Sequence, residues 1–310
     1  VTTNPSPNSP VSPLARGLWG VLATPFHGGD FAVDTESLRS EVRLYTGLNA
    51  TGMVVLGVFG EGVTLDTAEQ TLIVQTVAEE AGNTPLVVGL SARSTAVAVE
   101  QARTAVAAAG SNLGALMVQA NSANPELLAF HLSAINEVIP ADTGAGIVLQ
   151  DYPVASGVKI SAAQILKVLE LCPFISAVKS EAPPTAVPIA ALTAATTVPV
   201  FGGLGGVGLL DELAAGAAGA MTGFSHPEGL QAALAAFADG GFPAARAAFA
   251  PWLPLANFEG QPGIGLAVRK EILRRRGIIA DAAVRPPSPT LPPALADMID
   301  AHLAAVKEIA

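Results

Sequence analysis

From residue 19 onward, short apolar runs alternate with longer stretches of helical character. The apolar runs fall at residues 19–23, 52–56, 86–90, 114–118, 146–149, 175–178, 198–202 and 218–222. None alternates polar with apolar positions over its length, which is the pattern of a parallel strand covered on both faces. Helices are predicted at 35–46, 67–80, 95–108, 125–138, 162–171, 185–194, 209–215 and 227–238. Asp34 and Asp66 stand just before the first two, where a carboxylate accepts from the free N–H groups of a first turn. Eight strand–helix units in series predict an α/β protein of the (β/α)8 TIM-barrel type rather than a doubly wound sheet. A dinucleotide-binding sheet would need a Gly-rich turn after its first strand. Here that strand ends in Thr24-Pro25-Phe26.

After Gly240 the alternation stops. Helices are predicted at 242–255, 265–276 and 293–309, broken by Gly and Pro clusters, with a Pro-rich segment at 285–293 before the last. The expected organisation is a disordered leader over 1–16, a barrel over 17–240 and a C-terminal helical extension over 241–310. The leader is rich in Ser, Pro, Asn and Thr and lacks the basic and apolar regions of a signal peptide. No uninterrupted apolar run has transmembrane length, so no membrane partner and a cytoplasmic location are expected.

Composition narrows the classes further. Half of the 310 residues are hydrophobic and 14% are charged, so the chain can bury a large core. The net charge is −10 and the longest basic run is Arg274-Arg275-Arg276, which argues against a nucleic-acid partner. The one cysteine, Cys172, lies in an apolar stretch and is expected to be a buried thiol. No His/Cys/carboxylate spacing suggests a metal site.

In a barrel of this type, chemistry gathers at the C-terminal ends of the strands. Of the five lysines, Lys159, Lys167, Lys270 and Lys307 fall in helical or linker contexts and are expected at the solvated surface. Lys179 alone ends a strand. An amine held in an apolar mouth is biased toward its neutral form, which attacks ketones to give imines. Position alone leaves a second role open, an ion pair with Glu181 or Glu61. The loop Gly57-Val58-Phe59-Gly60-Glu61 after the second strand has enough glycine for exposed N–H groups to cradle a carboxylate, or simply to turn the chain. Gln150-Asp151-Tyr152-Pro153 after the fifth strand offers three polar side chains that are either site residues or turn formers. Gly203 lies in a Gly-rich turn after the seventh strand, and His226 follows the eighth and is a candidate to line the mouth.

Taken together, several of these segments resemble the dihydrodipicolinate synthase and N-acetylneuraminate lyase superfamily. The markers are Thr24-Pro25-Phe26, Gly57-Val58-Phe59-Gly60-Glu61 with Thr64-Leu65, Ile175-Ser176-Ala177-Val178-Lys179, Gly216-Ala217-Ala218-Gly219, Val268-Arg269-Lys270 and Val284-Arg285-Pro286-Pro287. The resemblance implies a Schiff-base lysine at Lys179, a 2-oxo acid carboxylate held by the backbone at Val58 and Phe59, no cofactor, and a homotetramer or homodimer. It also exposes departures. The family's two threonines of the strand-two loop are Val58 and Phe59 here, and its strand-five tyrosine falls at Gln150, with Tyr152 two positions later. The arginine that grips the aldehyde in the synthases falls at Ala155. The Lys179-Ser180-Glu181-Ala182-Pro183-Pro184-Thr185 segment resembles sugar-acid members such as 2-keto-3-deoxyarabonate dehydratase.

The resulting expectation is a lyase, either dehydratase or aldolase, acting on a 2-keto-3-deoxy sugar acid. Lys179, Gln150, Tyr152 and Glu61 are the expected catalytic residues. Val58, Phe59, Gly60, Asp151, Glu181 and Gly203 are expected to bind substrate. The alternatives are a dihydrodipicolinate synthase joining pyruvate to aspartate semialdehyde, and a non-catalytic ligand-binding barrel.

Overall fold

The computed structural model describes residues 11–307. Eight parallel strands follow one another: β1 (Gly17–Val21), β2 (Gly52–Val55), β3 (Leu86–Leu90), β4 (Leu113–Gln119), β5 (Gly146–Asp151), β6 (Ile175–Ser180), β7 (Val200–Phe201) and β8 (Gly219–Thr222). Their order in the sheet is β7-β6-β5-β4-β3-β2-β1-β8. A parallel bridge from Gly202 to Ala220, with Ala218 N–H donating to Val200 O, joins β7 to β8 and closes the barrel.

Helices α1 (Thr35–Gly47), α2 (Thr67–Ala81), α3 (Thr95–Ala109), α4 (Pro125–Asn136), α5 (Pro153–Ser156), α6 (Ala162–Leu171), α7 (Ala186–Thr193) and α8 (Leu209–Ala214) connect the strands. Asp34 and Asp66 cap α1 and α2 as expected, and Asp66 completes a reciprocal capping box with Glu69. After β8 come α9 (Pro227–Phe249), α10 (Leu253–Glu259), α11 (Gly265–Arg275) and α12 (Ala296–Lys307). Helix α9 breaks at Gly240 and Gly241, where Gly241 takes φ 65°. Glycine alone tolerates that conformation cheaply, so the chain turns there.

Residues 1–10 of the expected leader lie outside the described residues. Its last part is not free, which corrects the expectation for residues 14–16. Leu14 N–H donates to Ser176 O and its side chain joins the inner barrel cluster, while Arg16 donates to Ala217 O. Apolar burial at the N-terminal ends of the strands therefore orders this stretch.

Two apolar layers hold the molecule together. The larger lies between strands and helices. The smaller fills the barrel with Trp19, Val21, Val54, Val87, Ala115, Met117, Val148, Ala177, Phe201 and Met221.

Candidate active site

Strand pleat assigns the residues of the mouth. Successive side chains point to opposite faces, so the next inward position lies two residues beyond each member of the inner cluster. Beyond Met117, Val148 and Ala177 these positions are Gln119, Gln150 and Lys179; beyond Val87, Phe201 and Met221 they are Gly89, Gly203 and Gly223. Three polar side chains thus face positions that have no side chain. Glycines open the space, and the cavity beside them is lined by Gly57, Gly89, Met117, Gln119 and Gln150 among others. Gln119 was not among the expected site residues, although its register pairing with Gln150 puts it on the same face.

Lys179 is buried at the end of β6, in register with Gln150. Its Nζ lies 3.3 Å from Glu181 Oε2. The same oxygen accepts from Gln150 Nε2 at 2.6 Å, and Oε1 accepts from Leu204 N–H at 3.2 Å. The chain has turned out of the strand at Glu181, which lets its carboxylate fold back over the lysine. Gly203 makes this possible, because a Cβ there would stand 2.1 Å from Glu181 Oε1. The amine therefore sits beside a buried carboxylate whose other lone pairs are held by the neighbouring strands.

The loop after β2 divides its residues between two tasks. Leu56 takes φ 58° and turns the chain. Within the turn, Glu61 N–H donates to Val58 O and Gly62 N–H to Gly57 O. Among the described residues, the N–H groups of Val58, Phe59 and Gly60 find no backbone acceptor. Thr24 Oγ1 donates to Gly60 O at 2.6 Å and so pins this loop to the end of β1. The Phe59 ring packs against the inner cluster and would collide with any Cβ at Gly223.

Glu61 does not serve the mouth, contrary to expectation. Its Oε1 pairs with Lys270 Nζ, its Oε2 accepts from Arg285 N–H at 2.9 Å, and both side chains of the pair are almost fully buried. Lys270 is correspondingly not a surface residue. It also lies 4.4 Å from the centre of the Phe26 ring, and Arg285 lies 4.3 Å from the same ring while bonding Glu69. Phe26, Glu61, Lys270 and Arg285 form a clamp between the barrel and the C-terminal helices.

Asp151 is also removed from the mouth, because the pleat turns it away from the face that Gln150 shares with Lys179. It is buried, neither carboxylate oxygen has a partner among the described residues, and burial with the nearby Glu181 charge pushes its pKa up to about 6. Tyr152 stands one residue past the strand, half-buried, with its carbonyl accepting from Ala155 and Ser156 N–H. Its hydroxyl makes no hydrogen bond to the described residues, and burial raises its pKa further above the ordinary tyrosine range. It is a poor proton carrier near neutrality. His226 packs beside Phe224 and Trp252 rather than lining the mouth, with Nδ1 2.9 Å from Ser225 Oγ. Cys172 is buried as expected.

Two further charged residues reach the region unannounced. Glu212, in the first turn of α8, is buried against Gly202 and accepts from Thr185 Oγ1 at 2.7 Å; burial pushes it up to about 7. Arg269, on α11, stacks 4.3 Å over the Phe59 ring while its Nε donates to Glu259 at 2.9 Å. Val268-Arg269-Lys270 had stood out only as a marker. Neighbours on a helix point about 100° apart, so Lys270 enters the clamp while Arg269 turns toward the mouth.

Comparison with known proteins adds the following. A model of the dihydrodipicolinate synthetase family matches residues 14–305. An L-2-keto-3-deoxyarabonate dehydratase of Azospirillum brasilense is 30% identical over 294 residues, spanning 91% of each chain. A 4-hydroxy-tetrahydrodipicolinate synthase of Rhodopseudomonas palustris is 32% identical over 161 residues, only 52% of each chain. A crystal structure of dihydrodipicolinate synthase from Rhodopseudomonas palustris superposes with a TM-score of 0.86 at 28% identity, covering 95% of this chain and 99% of that one.

Proposed function

The chain belongs to the dihydrodipicolinate synthetase family, and from that premise we propose that it is a lyase that dehydrates a 2-keto-3-deoxy sugar acid through a Schiff base on Lys179. The observation that carries this reading is the buried group Lys179–Glu181–Gln150, facing space left open by strand-end glycines.

The substrate carboxylate sits at the N–H groups of Val58 and Phe59. Lys179 Nζ adds to the C2 ketone, and loss of water gives the imine, which draws electrons from C3. Glu181 takes the C3 proton. The enamine electrons then form the C3–C4 double bond and expel the C4 hydroxyl, which leaves as water with the proton returned by Glu181. Hydrolysis frees Lys179 and the unsaturated 2-oxo acid. Gln150 has no proton to exchange at neutral pH; its amide orients the Glu181 carboxylate. Lys179 supplies the electron sink, so the reaction requires no metal or organic cofactor.

Dehydration is favoured over aldol cleavage by the dehydratase similar along 91% of both chains. The synthase reading is not favoured. Gln150, Val58 and Phe59 stand where its proton-passing hydroxyls would be, Ala155 stands for its clamp arginine, and the curated synthase similarity spans about half of the chain. A non-catalytic barrel fits neither the family nor the retained lysine. In this reading the enzyme works in the cytoplasm as a homotetramer or homodimer, as the family resemblance implies. Among the described residues, no helix is long and apolar enough to cross a membrane.

Borohydride reduction in the presence of pyruvate, read by intact mass and peptide mapping, tests the imine. A pyruvate-sized adduct on Lys179, followed by turnover of a 2-keto-3-deoxypentonate with release of water, is the expected result. No adduct with pyruvate or with a panel of 2-keto-3-deoxy sugar acids would overturn the lyase reading.

A further inference from the structure

The side chain of Arg269 is nearly buried, yet only part of its donor capacity is used. Nε donates to Glu259 Oε2, and Glu259 is itself fixed by the N–H and hydroxyl of Ser225. No acceptor among the described residues is placed on Nη1 or Nη2. The guanidinium stacks on Phe59, whose ring packs on the inner barrel cluster, so the cation lies over the mouth. From the other side it is bounded by the turn after β7, where a Cβ at Gly205 would stand 2.9 Å from Nη2. Gly205 follows Leu204, whose N–H holds Glu181. The open edge of the fork and the catalytic carboxylate therefore share one rim.

We propose that Arg269 is the specificity residue of this site, and that the Nη1 and Nη2 edge of its guanidinium binds the hydroxyls on the distal carbons of a 2-oxo acid held at Lys179. The assignment rests on the imine reading given above. A guanidinium only donates, so the tail must offer oxygen acceptors. The electrostatics select hydroxyl over a second carboxylate. Glu259 already balances the Arg269 charge and Glu181 that of Lys179, so a second substrate carboxylate would meet no unmatched cation. A neutral hydroxyl accepts from Arg269 without that penalty. This residue would then do from the C-terminal helices what the missing strand-five arginine, replaced by Ala155, cannot do from its loop.

The test measures half-saturation for borohydride trapping on Lys179 with three probes: pyruvate, which has no tail, a 2-keto-3-deoxypentonate, and 2-oxoglutarate. Arg269→Lys keeps a cation beside Glu259 and Phe59 but loses the fork. The expected result is a rise of about tenfold or more for the pentonate, a change of less than twofold for pyruvate, and weak trapping of 2-oxoglutarate by both proteins. If Arg269→Lys is unstable, Glu259→Gln with Arg269→Met removes both buried charges together and is read the same way. Equal shifts for pyruvate and pentonate, or no shift for either, would overturn the assignment to Arg269 and leave the imine standing. Tight 2-oxoglutarate trapping that is lost in Arg269→Lys would overturn the hydroxyl tail. Failure of the natural protein to trap any probe would take the imine and this inference down together.

Discussion

At the scale of single residues, the site separates two jobs that one carboxyl and one amine are placed to perform. In the proposed mechanism Lys179 makes the imine and Glu181 moves the proton, and the 3.3 Å between them suits both. The two roles predict different losses. Lys179→Ala should abolish borohydride trapping and turnover together. Glu181→Gln keeps the shape and the Gln150 contact side but has no base, so trapping with pyruvate should persist while kcat falls about 10²- to 10⁴-fold. Loss of trapping in Glu181→Gln would show instead that the carboxylate is needed to form the imine. Lys179 was legible in the sequence because a lone lysine at the end of an apolar run is a rare placement in this fold. Glu61 was misjudged, because the same loop that carries Val58 and Phe59 turns at Glu61 and sends its carboxylate to Lys270. Sequence spacing does not show the turn, and the partner is 209 positions away.

At the scale of elements, all eight strands and the longer helices between them were legible from apolar runs and N-caps, since each signal is local, whereas the one-turn α5 was not, because Pro153 reads equally as a turn former. Boundaries of these strands and helices moved by at most two residues, as where β5 continues through Gln150 and Asp151. Helical character past Gly240 was legible, although the helix expected over 242–255 is divided between the end of α9 and α10; what these helices touch was not, because one helix, α11, presents Arg269 to the mouth and Lys270 to the clamp. The clamp carries a stability prediction. Lys270→Met would leave the Glu61 carboxylate buried with a single backbone N–H, a situation that costs about 3–5 kcal/mol. The expected outcome is a clear fall in the urea midpoint, partly recovered when Glu61→Gln is added, since the pair is then removed as a unit. A midpoint unchanged by Lys270→Met would mean that the ion pair contributes nothing net. Gly203→Ala makes a complementary prediction for the turn after β7. Its methyl would displace Glu181, so activity should fall while the fold, judged by the same midpoint, changes much less.

At the scale of the whole molecule, the barrel buries several acids without giving each a counter-ion, and the sequence does not announce which. Burial pushes Glu41 up to about 8 against the pull of the Ala23 N–H, and Glu212 up to about 7. From about pH 4.5 the unfolded chain loses these protons, while the folded chain holds that of Glu212 until about 7 and that of Glu41 until about 8. Stability must therefore fall as pH rises through that window, by about 1.4 kcal/mol per pH unit for each unmatched proton. His226 works in the opposite direction. Burial takes it down to about 3, so between 3 and about 6.5 the unfolded chain binds a proton that the folded chain refuses, and stability falls as pH drops. Glu69 and Glu271, lowered by Arg285 and Arg274, add to the acid limb. Above about pH 6.5 the histidine contribution is spent, so the thermal midpoint is expected to fall from there to about pH 8. Glu41→Gln should flatten the alkaline limb because the amide keeps the acceptor for Ala23 N–H and has nothing to ionise. A midpoint that is level or rising from pH 6.5 to 8, or a slope untouched by Glu41→Gln, would show that water reaches Glu41 and that the space between α1 and the end of β1 is wetter than its packing implies.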